Sequence, residues 1–448
     1  MIFYVVCIFS YIIPILAYRI ATVPLISPVS TAVIFYFTQF GPQALVHGFL
    51  RYATDPSPLH DQRFLLALTI ANVTLGLGIL LARPFFRLQE SEPVGARHEM
   101  LVRSTRGALV IVVAAIIYGL LFIAADGPGV PRLREHLLYL LQQSTYSYTE
   151  VRRVLFAESF VTQFQEYTRQ STTVLLIGVI ALTFLRTRGI WRIALLGAGL
   201  FVFITAALQL NKFPLLYFLV CIAIITYVFK TKSFSIGFKG GLIVAIGIPA
   251  LLALLFGMYL FQYADAVRRG VLSTENFMTM IFYRPFMAES DALRLWFEEF
   301  PDRTPFLGVR NIKLLASIFG LEFLDVTRHI PRVYLRHTLT TFQTGFIGSG
   351  YASFGYIGIA AYGLIVGAIS VVATALVVRI REFDVKAIFC AVLCLNMYFL
   401  FSREFSTALL SGGIAPVLAI GLLYVYLRGR AATPATGRPL AYRRPVAP

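Results

Sequence analysis

Long apolar stretches recur along this chain, each close to the length needed to cross a membrane and separated by short basic or Gly/Pro-rich breaks. Bilayer hydrocarbon is about 30 Å thick and a helix rises about 1.5 Å per residue, so one span takes roughly 20 apolar residues. Inside lipid, every backbone N–H and C=O must be satisfied internally, which leaves helices for segments of this kind. Hydrophobic residues make up 58% of the chain and charged residues only 14%, too few to cover a soluble protein of 448 residues. Mean hydropathy is +0.76. The expected fold is an all-α integral membrane protein: one polytopic transmembrane domain over residues 1–427 with about eleven helices.

The spans are expected at 2–18, 28–49, 64–82, 107–125, 172–185, 190–208, 213–229, 241–261, 356–378, 385–402 and 407–427. The sixth and seventh would form one long run but for Asn211-Lys212-Phe213-Pro214. A lysine is costly at mid-membrane, and proline starts a helix better than it continues one, so this is read as a tight hairpin. The first segment lacks a basic leader and an Ala-x-Ala-like cleavage site, so it reads as a span and not as a signal peptide. Cys7, Cys221, Cys390 and Cys394 all fall inside spans, which argues for buried small side chains over a disulfide framework or a structural zinc site. The Pro/Arg/Ala-rich tail, 428–448, is expected to be disordered and cytoplasmic, within reach of anionic lipid.

Orientation follows from the short-loop cations. Of 39 basic residues, 20 fall on one face, together with only five of the 22 acidic ones. About +15 of the net +17 therefore lies on that face, which the positive-inside rule makes cytoplasmic; the N-terminus is then outside and the C-terminus inside. The positive charge reflects topology: it is spread loop by loop, without the Lys/Arg-rich aromatic patch of a nucleic-acid surface.

Two outer segments, 126–171 and 262–355, are too long to be connectors. In the second, Ser290 to Phe300 reads as a short helix with Leu293, Trp296, Phe297 and Phe300 on one face, set against the membrane interface or the bundle. Ionisable residues are almost absent from the spans, where Asn72, Gln209 and Asn396 are polar but neutral. Ion-coupled carriers place carboxylates or histidines near mid-depth, so a secondary transporter is disfavoured and chemistry is expected at the outer surface.

That surface is rich in cations, among them Arg268, Arg269, Arg284, Arg294, Arg303, Arg310, Arg328, Arg332 and Arg336, with Lys212 and Arg403 arriving from short turns. Arginine and lysine give charge-assisted hydrogen bonds to phosphates, so the pattern suits an anionic, phosphate-bearing substrate at the interface. A single loop arginine is more often a surface ion-pair partner or a lipid-headgroup contact, and Glu298, Glu299 and Asp302 lie near enough in sequence to pair with Arg294 and Arg303. Glu289 and Asp291 resemble a metal-binding carboxylate pair, but at i,i+2 they point apart on a helix, so no metal site is assigned and no cofactor is expected. His337 is a possible base because histidine titrates near neutral pH. Lys212, kept in a tight turn between apolar spans, requires an anionic partner or solvent.

The string Thr344-Gly-Phe-Ile-Gly-Ser-Gly-Tyr-Ala-Ser-Phe-Gly-Tyr-Ile-Gly358 leads into the ninth span. Its small residues permit close backbone approach, to a neighbouring helix or to a ligand, and Gly363 and Gly367 carry the spacing onward. With Tyr351, Phe354, Gly355 and Gly358 opening a span after a long outer loop, the string resembles the O-antigen polymerase (Wzy-type) oligosaccharide repeat-unit polymerases. Three further features are similar: Val23-Pro-Leu-Ile-Ser-Pro28 opening the second span, the Asn211-Lys212 hairpin, and Arg284 followed by an aromatic-rich stretch to Phe300-Pro301 and Phe306-Leu307-Gly308. Matching stretches cover about a third of the chain. The chain departs from the family in reading Asn-Lys-Phe at the hairpin, where the family has a small residue after the cation. It also has Thr338 after His337, where O-antigen ligases carry His-Asn.

The resemblance implies a GT-C-like helical bundle in the bacterial inner membrane with a large periplasmic loop. It implies a glycosyltransferase that moves a glycan from a polyprenyl diphosphate carrier onto a lipid-linked repeat unit, without metal. Lys212, Arg284 and Arg403, then Arg336, are the expected diphosphate contacts, and Tyr351 a further substrate contact. Glu289, His337 and Glu404 remain alternatives for the base, and Arg284 is also placed in the catalytic set. Expected partners are polyprenyl diphosphate-linked oligosaccharides, membrane lipids and, as a further candidate, a chain-length regulator; no nucleic acid is expected. An O-antigen ligase or other GT-C glycosyltransferase is the alternative reading, and a lipid or polysaccharide transporter the second.

Overall fold

The structure is a computed structural model that describes residues 2–21, 23–45, 58–86, 88, 105–125, 171–207, 212–236, 253, 257, 273, 288–335 and 341–431. Among these residues every regular element is helical. In chain order the helices are α1 (Ile2–Ser10), α2 (Ile12–Ala21), α3 (Pro28–Leu45), α4 (Pro58–Ala82), α5 (Thr105–Ala125), α6 (Thr172–Arg186), α7 (Ile190–Ala207) and α8 (Lys212–Thr231). They continue with α9 (Ala288–Glu299), α10 (Lys313–Ile318), α11 (Val326–Leu335), α12 (Gly345–Arg379), α13 (Phe383–Ser402), α14 (Phe405–Leu409) and α15 (Ile414–Ala431). Five stretches are long and apolar enough to cross a membrane: Phe3–Ala21, Gln62–Phe85, Gly345–Arg379, Phe383–Ser402 and Phe405–Arg428. Shorter apolar helices occupy Gly107–Leu121, Thr172–Arg186, Ile190–Thr205 and Tyr217–Thr231. The chain is a helical membrane protein.

Local chemistry explains several boundaries. Pro28 and Pro58 open α3 and α4, where the N–H that proline lacks has no partner in any case. The Ser27 hydroxyl accepts from Ser30 N–H at 3.3 Å, capping α3. Around the expected Lys212 hairpin, α7 ends at Ala207, α8 begins at Lys212 with Pro214 in its first turn, and the two helices pack together. Residues 208–211 between them, the expected eighth span apart from 253 and 257, and the outer segment 126–170 lie outside the described residues. The last helix runs to Ala431, four residues into the stretch read as a tail; 432–448 lie outside the described residues.

The bundle is organised around two helices. α13 is the most enclosed of the five long apolar stretches, 89% of it buried between α3, α6, α8, α12 and α15. α12 lies along α4 in the most extensive pairing among the described helices. There a Cβ on Gly367 would sit 2.5 Å from the Leu75 carbonyl oxygen, and one on Gly78 would strike the backbone of Leu364. Gly363 faces Thr74 in the same seam, so its small-residue spacing serves helix packing. Around this centre, α1 and α2 lean on α4, while α5 and α7 pair with Gly119 against Phe201. The outward faces are apolar, with Phe9, Val110, Leu121, Ile190 and Leu423 all exposed, as expected for surfaces that meet lipid. All four cysteines are buried and free.

The ninth span is expected from 356, and the helix beyond the break inside α12 starts there; ahead of the break, from Gly345, lies a further helical segment. Phe354 (φ −141°, ψ 21°) and Gly355 (φ 63°, ψ −144°) leave the helical region, and residues 345–353 form a separate buried arm. Gly355 occupies a backbone region that only glycine enters without strain. The arm folds back so that the Gly350 and Gly358 backbones touch: a Cβ on Gly350 would lie 2.7 Å from Gly358 carbonyl carbon.

Gly358→Ala places a methyl against the Gly350 carbonyl and is expected to cost about 1–3 kcal/mol as overpacking. Gly197→Ala, in α7 with nothing within 4 Å of the new Cβ, is expected to be neutral or stabilising by up to about 1 kcal/mol. Thermal unfolding of the purified variants in detergent checks both; equal midpoints would contradict the assigned contact.

Candidate functional site

The expected helix in the second outer segment is present as α9, which ends one residue before Phe300, and Leu293, Trp296, Phe297 and Phe300 are all fully buried. Burying side chains of this size contributes about 2 kcal/mol apiece before entropy is counted. They set α9 against α4, α11 and the 345–353 arm, capping one end of the bundle. Leu307 N–H bonds the Ala352 carbonyl at 2.9 Å, and Phe342 N–H bonds the Thr327 carbonyl at 2.9 Å, tying the cap to itself and to α12.

The cap's polar contacts cross long sequence distances. Arg63 of α4 donates at 2.9 Å to the Phe297 carbonyl and at 2.9 Å to Asp302. Buried Glu299 accepts from the Thr304 hydroxyl at 2.6 Å and meets His329 Nε2 at 2.9 Å. Burial alone would raise the Glu299 pKa, but the Thr304 and His329 hydrogen bonds outweigh it and hold the carboxyl below its ordinary value. Tyr334, close to Glu298 and Glu299, has its hydroxyl pushed up to about 12, first by burial and then by those charges. Arg303 pairs with Glu298 at 2.7 Å and lies 5.1 Å over the Tyr334 ring. Of the expected partnering of the Glu298, Glu299 and Asp302 carboxylates with Arg294 and Arg303, the Arg303–Glu298 pair is present, while Glu299 meets His329 and Asp302 meets Arg63.

Beside the cap lies the turn that carries Arg403. Its guanidinium stands 4.3 Å over the Phe399 ring, and Tyr217 of α8 stacks on the same ring at 5.6 Å. The Lys212 end of α8 is thereby brought to the Arg403 end of α13, since Tyr217 lies about a turn and a half along α8. Glu404 caps α14: its carboxylate accepts from Ser406 N–H at 2.9 Å, the Ser406 hydroxyl at 2.6 Å and Thr407 N–H at 2.7 Å.

Ser349 ties this turn to the glycine-rich arm. Its hydroxyl accepts from Phe405 N–H at 3.0 Å and donates to the Gly345 carbonyl at 2.9 Å. Asn311 then donates at 3.3 Å both to the Ser349 carbonyl and to the Ser353 hydroxyl. Gly345 (φ 61°) is pressed so closely on Phe401 that a Cβ would meet its backbone. Two turns below Arg403 on the same face of α13, Asn396 is fully buried with neither amide atom hydrogen-bonded among the described residues.

Of the residues expected to form the site, Arg403 and Glu404 stand side by side at this turn, and Lys212 begins the adjoining helix, its side chain outside the described residues. Tyr351 is 2% exposed, its ring held among Phe297, Phe306 and Tyr356 at 4.4–5.6 Å, so it joins arm to cap. Glu289 and Asp291 fall in the first turn of α9, also with undescribed side chains. Arg284, Arg336 and His337 lie outside the described residues. Arg63, Asn311, His329 and Ser349 were missed as site-shaping residues; Arg63, at the head of an apolar span, was the one with a visible signal.

Comparison of the chain with family models, with characterised proteins and with solved structures finds no match.

A depressed Glu299 means that its stabilising contribution is complete at neutral pH and is lost as pH falls through and below 4.5, its ordinary value. Glu299→Gln is expected to cost the cap about 2 kcal/mol at pH 7 and to flatten this acid limb. Trp296 fluorescence during unfolding, in a Trp191→Phe background, reads the effect; an unchanged acid limb in the variant would refute it.

Proposed function

We propose that the chain is a polysaccharide polymerase of the O-antigen polymerase kind, a GT-C-like bundle of about eleven spans with the cap and Arg403 on the periplasmic side of a bacterial inner membrane. A hydroxyl of the acceptor repeat unit attacks the anomeric carbon of the donor glycan. The bond from that carbon to the carrier breaks, polyprenyl diphosphate leaves with the electron pair, and the hydroxyl proton passes to a base. The developing diphosphate charge most needs stabilisation, and fixed cations provide it without reorganisation.

The observation that supports this reading best is the meeting of Arg403, the Lys212-headed helix and the glycine-rich arm at one end of the bundle. In this reading the two helix ends bring Arg403 and Lys212 to interface depth, where a lipid diphosphate would arrive, while the arm's glycines are taken up by its packing on Gly358, Phe401 and Phe306. Arg284 and Arg336 add to the same charge in this reading, and Tyr351 shapes the arm that faces the donor. Glu404, with three donors already on its carboxylate, is better suited to fixing the Arg403 turn than to accepting a proton, which leaves Glu289 and His337 for the base.

Lys212→Ala, Arg403→Ala and Arg284→Ala are each expected to lower polymer formation about 10²–10³-fold, with lipid-linked repeat units accumulating at normal protein level. Polymer length and lipid-linked intermediates in a strain carrying only the variant are the measurement. Wild-type polymer from all three would sink the assignment, and single repeat units left unattached to their final acceptor beside intact polymer would point to a ligase.

A further inference from the structure

At the end of α13 opposite Arg403, a second group of cations gathers on aromatic rings. Arg186, the last residue of α6, is 15% exposed and donates to buried Asp384 at 2.6 Å, while its guanidinium carbon stands 5.4 Å from the Phe229 ring centre. Lys232, just beyond α8 at φ 54°, places its ammonium 4.0 Å from the same ring and 5.2 Å from Phe383. Lys386 lies 5.9 Å from Phe234, whose ring meets Phe383 at 5.7 Å.

The cluster carries more positive charge than its own carboxylates balance. Asp384 is shared with Arg186, and Glu382 pairs with Arg428 at 3.3 Å. The other terminal nitrogen of Arg186 is buried without a hydrogen bond, and Lys232 has no ion pair among the described residues. Burial, then the charge of Arg186, holds the Lys232 ammonium below its ordinary pKa, with Asp384 opposing them. Lys232 is exposed beside this buried pair, and an anion there would add counter-charge to both cations.

We propose that Arg186 and Lys232, on the Phe229–Phe383 ring pair, bind the phosphate of an anionic phospholipid. Depth favours a lipid. α13 has 20 residues, about 30 Å of helix, so its two ends stand one hydrocarbon thickness apart and this cluster lies at headgroup level. The adjoining surface favours it too: Ile190 (72% exposed) and Ile193 (68% exposed) flank the α6–α7 turn and offer apolar contact to acyl chains, which a soluble phosphate would leave unused. The site is independent of the reading proposed for the Arg403 end.

The test is native mass spectrometry of the purified full chain titrated with phosphatidylglycerol or phosphatidylcholine, with thermal midpoints measured in parallel. Wild type is expected to hold phosphatidylglycerol in clear preference, and Lys232→Gln to weaken that preference about fivefold, as for one basic residue near an anionic surface. Arg188→Gln, at a neighbouring exposed cation with no ring contact among the described residues, is expected to change it far less. Arg186→Lys reports on the guanidinium separately, and Lys232→Gln carries the test if that variant fails to fold. Equal retention of the two lipids, an unchanged preference in Lys232→Gln, or equal stabilisation by inorganic phosphate would each overturn the proposal.

Discussion

The fold depends on backbone meeting backbone. In lipid, apolar side chains gain little by leaving one apolar neighbour for another, so helices associate through close packing and through polar contacts between them. α12 and α4 do this through Gly78, Gly363 and Gly367, where any side chain would collide with the facing helix. The same device recurs at the Gly350–Gly358 crossing and where Gly345 presses on Phe401. Removing these side chains lets the helices come near enough for dispersion over their whole length, and it fixes register, because only one alignment puts glycine at each crossing.

The site at the Arg403 end inherits its geometry from that packing. Because the 345–353 arm is seated against α13 and crossed by its own continuation, Ser349 is held where one hydroxyl can bond the Phe405 amide and the Gly345 carbonyl. The Arg403–Glu404 turn is therefore positioned from two sides, by the arm and by the cap on α14. On the proposed reading, cations held in this way suit a leaving diphosphate better than mobile surface residues would, since their order is established before the substrate arrives.

Local periodicity was legible in the sequence and long-range pairing was not. The face of α9 could be read because Leu293, Trp296, Phe297 and Phe300 follow the helical repeat, and the Lys212 break because a charge and a proline interrupt an apolar run. Arg303–Glu298 was accessible for the same reason, being five residues apart. Arg63–Asp302 spans 239 positions and Glu299–His329 spans 30, and no spacing rule links such residues. The helix start at 356 was legible, but the fold-back ahead of it was not, because a glycine-rich helix entry and a helix folded back on itself have the same composition; the difference lies in the backbone angles of Phe354 and Gly355.

The enclosure of α13 also bears on the membrane itself. It is tied by Asp384 to Arg186 at one end and lies against Gly345 and the Ser349-stapled turn at the other, with neighbours along nearly all its length. A free helix answers a thicker or thinner bilayer by tilting, at a fraction of a kcal/mol per Å of mismatch. α13 cannot tilt without breaking contacts at both ends, so the mismatch falls on the lipid or on the outer helices α5 and α7, which have open apolar faces. The centre of this protein is thus a gauge of fixed length, and the surrounding bilayer is the partner that must adjust.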